Sequence, residues 1–145
     1  MKAIIIPGDK TSEGVLIEAV ALPWFDIIEE IKKDPRIVFQ IPPRMWEEKI
    51  AGAYKKAGFD DVTLTPRSGD LGRDVIGVKK GVSSVRVIDQ VKAFAPTHLV
   101  PADDARALMG VVIGDRASKG FLTTTSNFAP GIAIDPVIQD FIDWN

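Results

Sequence analysis

Asp74, Gln90 and Lys92 are the residues whose types and spacing could do chemistry. Asp74 opens one short run of β-branched residues, and the other two residues end the next such run. Side chains alternate between the two faces of a strand, so Gln90 and Lys92 lie on one face. If a hairpin pairs Val78 with about Val85, the same register brings Asp74 to the region of Gln90. The pattern therefore predicts a carboxylate, an amide oxygen and an ammonium group on one surface.

Such a surface has the groups that metal-assisted cleavage of a phosphodiester requires. The Asp74 carboxylate and the Gln90 amide oxygen are candidate ligands for a divalent cation, and the Val91 carbonyl is a possible third. The cation would polarise the phosphate and lower the pKa of a bound water, while Lys92 would orient that water or offset charge on the phosphate. Asp89 points to the opposite face and is a poor replacement for Gln90. Spacing alone leaves a second interpretation open, in which Asp74 and Lys92 are solvated residues at strand ends.

The composition limits the kind of metal that the chain can bind. The chain has 145 residues, 46% of them hydrophobic, a formal net charge of −2, no cysteine and one histidine, His98. These counts exclude thiolate sites and zinc sites with several histidines, and a ligand set that is mainly oxygen favours Mg²⁺, which Mn²⁺ can replace. Because Gln90 is a neutral ligand, we expect modest metal affinity. No apolar run approaches the length of a membrane helix and the N-terminus lacks a secretory signal, so we expect a cytoplasmic protein.

Hydrophobic periodicity predicts an α/β domain with a mixed β-sheet flanked by helices on both faces. Pro42 and Pro43 mark the boundary between an N-terminal α/β extension packed on the core, residues 1–41, and the main domain, residues 42–145. Gly58 is expected at the C′ position, where glycine commonly ends a helix. Helices are predicted at residues 13–22, 24–33, 46–57, 102–113 and 136–141, and strands at residues 2–6, 37–41, 62–65, 74–78, 85–91 and 120–125.

Four motifs, in this order along the chain, resemble the Mrr-like restriction endonucleases, a branch of the PD-(D/E)xK nuclease superfamily. Residues 43–59 resemble that family's first helix, which begins with an aromatic–Glu pair and ends with Gly–aromatic. The family's Gly-Asp-x-Gly-x-Asp motif corresponds to residues 69–74, its Gln-x-Lys motif to residues 90–92, and its Lys-Gly-x-x-x-Thr-Thr stretch to residues 119–125. The resemblance covers about residues 43–130 and leaves the first 40 residues outside it.

The resemblance implies a restriction-endonuclease-like fold, hydrolysis of DNA with Mg²⁺ and a role against foreign or modified DNA. It also implies that Asp74 and Gln90 hold the metal, that Lys92 is catalytic, and that Glu47 on the first helix takes part. In this branch Gln stands where most of the superfamily has Glu. Family domains usually continue past the last helix into another strand, so a chain that ends at Asn145 is expected to be a truncated or short form. A double-strand break requires two cuts, which makes a homodimer a reasonable hypothesis.

Polar residues around these motifs are candidates for DNA contact. Hydroxyl, guanidinium and ammonium groups bind phosphate oxygens, although each of these residue types is also common on surfaces, in turns and in strands. Asp70 could support the metal through water or could hydrogen-bond its own turn. His98 is expected to be structural or exposed rather than a base. The candidates for DNA binding are Arg67, Ser68, Arg73, Lys79, Lys80, Lys119, Thr124, Thr125 and Ser126.

Three alternatives to a restriction nuclease remain open from the sequence. A structure-selective nuclease or junction resolvase could use the same site, and cleavage of duplex, nicked and branched DNA would distinguish it. A catalytically silent DNA-binding module could keep the fold without turnover, although the intact Asp74, Gln90 and Lys92 argue against it. A toxin-like effector domain is the third alternative.

Overall fold

The protein is an α/β domain built on one mixed sheet, as the sequence predicts. We describe residues 3–66 and 73–140 from a computed structural model. The strands are β1 (Ile5–Lys10), β2 (Val15–Val20), β3 (Asp61–Leu64), β4 (Val75–Lys79), β5 (Val85–Lys92) and β6 (Lys119–Thr124). The helices are α1 (Leu22–Lys33), α2 (Pro43–Lys56), α3 (Ala102–Gly114), α4 (Pro130–Ile134) and α5 (Pro136–Gln139), and a 3₁₀ turn spans Pro35–Phe39.

The six strands lie side by side in chain order. Neighbours from β1 to β5 are antiparallel, and β6 is parallel to β5 because α3 forms the crossover between them. The predicted β4–β5 hairpin is present, one residue away from the expected register, with Lys79 paired to Val85. Lys92 at the end of β5 pairs with Thr124 at the end of β6. The start of β4 and the ends of β3, β5 and β6 therefore lie together, at what we call the site end of the sheet, and the β4–β5 turn lies at the far end.

Helix α2 covers one face of the sheet. Proline is favoured in the first turn because its missing N–H has no partner there, and α2 begins at Pro43. Gly58 has a φ of 95° and ends the helix as predicted, since a residue with a Cβ is strained in that region. The Phe59 N–H reaches back to the Tyr54 carbonyl at 3.2 Å. Ala51 of α2 is fully buried in the main core.

Helix α3 lies over the opposite face. Gly120 of β6 pairs with Ile88 of β5, so both residues face α3. A Cβ added at Gly120 would lie 2.5 Å from a methyl group of Val112, which shows how closely helix and strand approach. None of the helices in the described ranges has the length and apolar character of a membrane span.

The structure corrects three predictions for the first 41 residues. Residues 13–22 do not form a helix, because Val15–Val20 is strand β2, paired on one side with β1 and on the other with β3. The first strand does not end at Pro7 but runs on to Lys10, with register shifts on both sides of the proline, which an edge strand tolerates. Residues 37–41 are not extended, since the chain turns in a 3₁₀ conformation through Phe39.

The turn of the β1–β2 hairpin lies at the site end of the sheet. Val15 pairs with Leu64, the last residue of β3, and a Cβ added at Gly14 would lie only 2.2 Å from the Leu64 carbonyl oxygen. Residues 1–41 thus contribute strands β1 and β2 to the same sheet that carries the main domain. Whether they form a separate domain, with a boundary at residue 42, stays a prediction.

Four charged side chains fasten this hairpin to the α3 face of the sheet. The Glu13 carboxylate accepts from Arg86 at 2.6 Å and lies 3.4 Å from Arg73, while Asp115 after α3 accepts from Arg86 at 2.8 Å and from Arg73 at 3.2 Å. Two guanidinium groups therefore share two carboxylates. We call Glu13, Arg73, Arg86 and Asp115 the charge cluster.

Candidate active site

The end of β5 extends beyond β4, and Asp74 fills the gap. The β4–β5 ladder ends where Val75 pairs with Asp89, three residues before β5 ends at Lys92. The Asp74 carboxylate accepts the N–H of Val91 at 2.7 Å, and the Asp74 N–H donates to the Asp89 carbonyl at 3.1 Å. Asp74 is 8% exposed. Because these two contacts are to Asp89 and Val91, they hold the Asp74 carboxylate beside Gln90, which lies between those two residues in β5.

Gln90 has a buried oxygen without a protein partner. Among the buried side-chain nitrogen and oxygen atoms of residues 3–66 and 73–140, the Oε1 of Gln90 lacks a hydrogen bond. A buried polar atom that stays unpaired costs about 1–3 kcal/mol, so such atoms commonly mark a function or a missing ligand. Strand parity directs Gln90 to the same face as Asp74 and Lys92, opposite α2.

Lys92 is half-buried at the last position of β5. Its carbonyl accepts from the Thr124 hydroxyl at 2.9 Å, which fixes the strand end against β6. Its ammonium group forms no ion pair within 4.0 Å with a carboxylate of the described residues. The structure therefore brings Asp74, Gln90 and Lys92 to one face and one end of the sheet.

Glu47 lies one step away, in contact with Arg44. The Glu47 carboxylate accepts from Arg44 at 2.8 Å, and the same guanidinium nitrogen donates to the Thr65 carbonyl at 2.7 Å. Thr65 is 1% exposed, and its hydroxyl donates to the carbonyls of Arg73 at 2.5 Å and Asp74 at 3.0 Å. Glu47 is thus linked to Asp74 through Arg44 and Thr65. Sequence reasoning missed both links, although Arg44 precedes Glu47 by one helical turn.

Asp89 forms a second polar group on the opposite face. It is 3% exposed, and its two oxygens accept from Tyr54 of α2 and Thr123 of β6, each at 2.8 Å. Burial raises the pKa of the Asp89 carboxyl to about 6, although the hydrogen bonds from Thr123 and Tyr54 oppose the rise. Burial also raises the pKa of Tyr54, together with the charge of Asp89. Asp89 thus faces away from Gln90, as strand parity predicts, and ties β5 to α2 and β6.

Three predicted DNA-binding residues lie at the far end of the sheet. Lys79 ends β4, about 17 Å from Asp74 by the rise of a strand. Lys80 follows it and pairs with Asp61 at 3.2 Å. Lys119 begins β6 opposite Val87, which is also far from Lys92. The structure does not bring these lysines to the candidate site.

The other predicted DNA-binding residues that are described lie near the site, with their polar groups already engaged. Arg73 belongs to the charge cluster. The hydroxyls of Thr124, Thr125 and Ser126 donate to the carbonyls of Lys92, Phe94 and His98, at 2.9, 2.7 and 2.7 Å. Arg67, Ser68 and Asp70 lie outside the described residues.

The residues present fit an oxygen-bound cation. In the described part of the chain no group of three or more His, Cys, Asp or Glu side chains could hold a metal. One carboxylate beside one unpaired amide oxygen still supplies two hard oxygen donors, which suit Mg²⁺ when water completes the coordination. The Val91 carbonyl stays a possible third donor, while its N–H is used by Asp74.

A cavity of about 430 Å³ lies apart from this site. It lies between α3 and β6, and its lining is mainly apolar, with Leu108, Met109 and Phe121 among its residues. Asp74, Gln90, Lys92 and Glu47 do not line it.

The comparison with protein-family models agrees with the motifs. The restriction endonuclease family model Mrr_cat matches residues 38–133. The solved structure of the MspJI restriction endonuclease in complex with a 27-mer oligonucleotide is 20% identical over 82% of this chain, with a TM-score of 0.47. The matched region is 27% of that protein, so this chain spans about a quarter of its length. No curated protein matches the sequence.

Proposed function

Because the chain belongs to the restriction endonuclease family, we propose that it is a metal-dependent DNA endonuclease that hydrolyses phosphodiester bonds. The observation that carries the proposal is the unpaired, buried Oε1 of Gln90 beside the Asp74 carboxylate. An amide oxygen with no protein donor suits a cation, because a cation needs an acceptor that is not already engaged. Lys92, on the same face, supplies a positive charge where a phosphate would lie.

Each residue has a role that follows from its surroundings. Asp74 and Gln90 would hold Mg²⁺, which would polarise the phosphate and make a bound water more acidic. Lys92 would hydrogen-bond the attacking water or a phosphate oxygen and so offset the charge that develops there. Val91 keeps the Asp74 carboxylate in place through its N–H.

Glu47 would act in support of this site. Its carboxylate is paired with Arg44, whose guanidinium also holds the Thr65 carbonyl next to Asp74. The pair therefore fixes the strand end that carries Asp74. A direct role for Glu47, with a second metal or with the first, stays part of the proposal.

Plasmid cleavage with purified protein tests the proposal. In Mg²⁺ or Mn²⁺ we expect the native chain to convert supercoiled plasmid to nicked or linear DNA. Lys92→Met and Asp74→Asn should each slow cleavage about a thousandfold, because each removes a charge that acts at the phosphate or its metal.

Matched variants separate the site from general charge effects. Lys33→Met and Asp26→Asn change exposed residues of α1 in the same way and should leave cleavage unchanged. If all five proteins cut alike, the assignment of the site is wrong. If the native chain binds DNA and never cuts it, the protein is a binding module.

Metal binding gives a readout that does not depend on turnover. Mn²⁺ titration followed by electron paramagnetic resonance should give weaker binding for Asp74→Asn than for Asp26→Asn. Equal binding by the two variants would remove Asp74 from the ligand set. The restriction role, the homodimer and the cytoplasmic location stay predictions.

A further inference from the structure

The loop that follows Lys92 presents a flat pair of rings beside the candidate site. The rings of Phe94 and His98 are stacked, with centroids 4.0 Å apart and planes inclined by 3°. Phe94 is half-buried, whereas residues 95–99 are exposed. With Phe94 on one side, the exposure of His98 leaves its other side toward solvent. We call Phe94 and His98 the ring pair.

Hydrogen bonds hold both members of the ring pair by their backbones. The Thr125 hydroxyl donates to the Phe94 carbonyl and the Ser126 hydroxyl to the His98 carbonyl, each at 2.7 Å. The His98 N–H closes a turn onto the Ala95 carbonyl at 2.9 Å. Such fixation lowers the conformational entropy that the loop would lose on binding a partner. Thr125 and Ser126, which the sequence predicts to bind DNA, therefore hydrogen-bond to the loop that carries the ring pair.

We propose that the ring pair stacks on an unstacked nucleobase next to the scissile phosphate. Phe94 is two residues beyond Lys92, so a strand whose phosphate lies at Lys92 would pass the rings with a neighbouring nucleotide. The loop of residues 93–99 carries no Lys, Arg, Asp or Glu, so its exposed surface suits a base rather than a phosphate. Aromatic and imidazole rings bind bases by stacking, with little regard to sequence.

The geometry also selects the form of the DNA. In an intact duplex each base is stacked on both faces, so a protein ring can reach a base face only where the base is flipped out or single-stranded, or at a nick or flap. The substrate class is therefore DNA with an unpaired nucleotide beside the cleavage point. This inference rests on the proposed nuclease function and adds a preference that the metal site alone does not give.

Binding without cleavage tests the inference. We would use the full chain in EDTA, with two oligonucleotides of one sequence: a perfect duplex, and a duplex with a short single-stranded flap that starts with 2-aminopurine. Fluorescence anisotropy gives the affinity, and quenching of 2-aminopurine reports stacking of that base. We expect about tenfold tighter binding of the flap than of the duplex, with quenching on binding.

Variants of the exposed ring keep the fold and change the stack. His98→Ala should lose the tenfold preference and the quenching, while His98→Trp should keep both, because indole also stacks on a base. Thr97→Ala, in the same loop, is the matched control and should bind like the native chain. Thermal unfolding of each variant identifies any loss of folding.

The outcomes distinguish this inference from the proposed function. If His98→Ala binds and quenches like the native chain, or if the native chain binds both oligonucleotides equally, the inference is overturned even where Mg²⁺-dependent cleavage is observed. If the flap is preferred and quenched by a protein that never cuts DNA, the ring pair stands and the nuclease proposal fails. Failure to bind either oligonucleotide would overturn the inference, and plasmid cleavage in Mg²⁺ would still decide the nuclease proposal.

Discussion

Asp89 and Gln90 are neighbours on β5, and their surroundings are opposite. Asp89 faces α2, is 3% exposed, and has a hydroxyl donor for each carboxylate oxygen. Gln90 faces the other way and keeps a buried oxygen without a donor in the described residues. Within the described residues, the protein thus supplies donors for the Asp89 carboxylate but none for the Oε1 of the neutral Gln90. The candidate functional group thus differs from its neighbour in lacking a hydrogen-bond donor, not in carrying a charge.

Removal of the Gln90 amide should separate activity from stability, and it is the largest effect that we expect from changes to these two neighbours. Gln90→Leu keeps the size of the side chain and removes the unpaired oxygen. Cleavage should fall about a hundredfold because a metal ligand is lost, while the free energy of unfolding should rise by about 1 kcal/mol. Rate measurements in saturating Mg²⁺ and urea unfolding in EDTA would measure both. A variant that is less stable but equally active would mean that Gln90 has a structural role, like Asp89, and is not a metal ligand.

The titration of Asp89 should make the free energy of unfolding depend on pH. Its pKa is raised to about 6 in the folded protein, so the folded state binds a proton more tightly than the unfolded state does. The contribution of Asp89 to stability is therefore most favourable at low pH and declines as pH rises from about 4 to 7, by about 2 kcal/mol.

The test is the difference between the native chain and Asp89→Asn, which cannot ionise. The free energy of unfolding from urea titrations in EDTA, native minus variant, should fall by about 2 kcal/mol between pH 4 and pH 7. A constant difference would mean that Asp89 titrates alike in both states. Gln90→Leu is the matched control, because it should not change the pH dependence.

The charge cluster should show that pairing, rather than the face of the sheet, decides which residues are structural. Arg86 shares the face of Gln90 and Lys92 but is paired with Glu13 and Asp115. Because its members are 15–35% exposed, Glu13→Gln should cost only about 1 kcal/mol, and less in high salt.

Cleavage by Glu13→Gln should change less than about threefold, since Asp115 still holds both arginines. Thermal unfolding at low and high salt, beside plasmid cleavage, measures the two effects. Glu18→Gln, an exposed change on β2, is the control. A large loss of activity without loss of stability would instead mean that the β1–β2 hairpin contributes to catalysis.

The sequence predicted the elements whose patterns are local. The helix that contains Trp46 and Tyr54 shows apolar residues at helical spacing, and Gly58 ends it. Both signals lie within one stretch of chain. The alternation along β5 was enough to separate Gln90 from Asp89. By contrast, residues 15–20 form a short apolar run that is compatible with helix or strand. Their pairing with β3, almost fifty residues away, decides for a strand, and no local pattern reports such a partner.

The support of the candidate site could not be predicted, because it depends on distant residues. Tyr54 and Thr123 lie 35 and 34 residues from Asp89 along the chain. Arg44 reaches a carbonyl 21 residues away. Each is an ordinary residue in its own segment, a helix tyrosine, a strand threonine and a first-turn arginine. Their roles appear only when the sheet brings the strand ends together.

The crossover between β5 and β6 bears on the order in which the molecule folds. Asp74 and Val91 are 17 residues apart and meet through a tight hairpin, whereas Lys92 and Thr124 are 32 residues apart and meet only once α3 has crossed the sheet. Contacts of short separation form sooner than those that must close a long loop. The Asp74 carboxylate and the Gln90 Oε1 would therefore lie together before β6 pairs with β5 and the residues after it fix the ring pair. A chain caught between these steps would have the proposed metal ligands in place but not the proposed base-stacking loop.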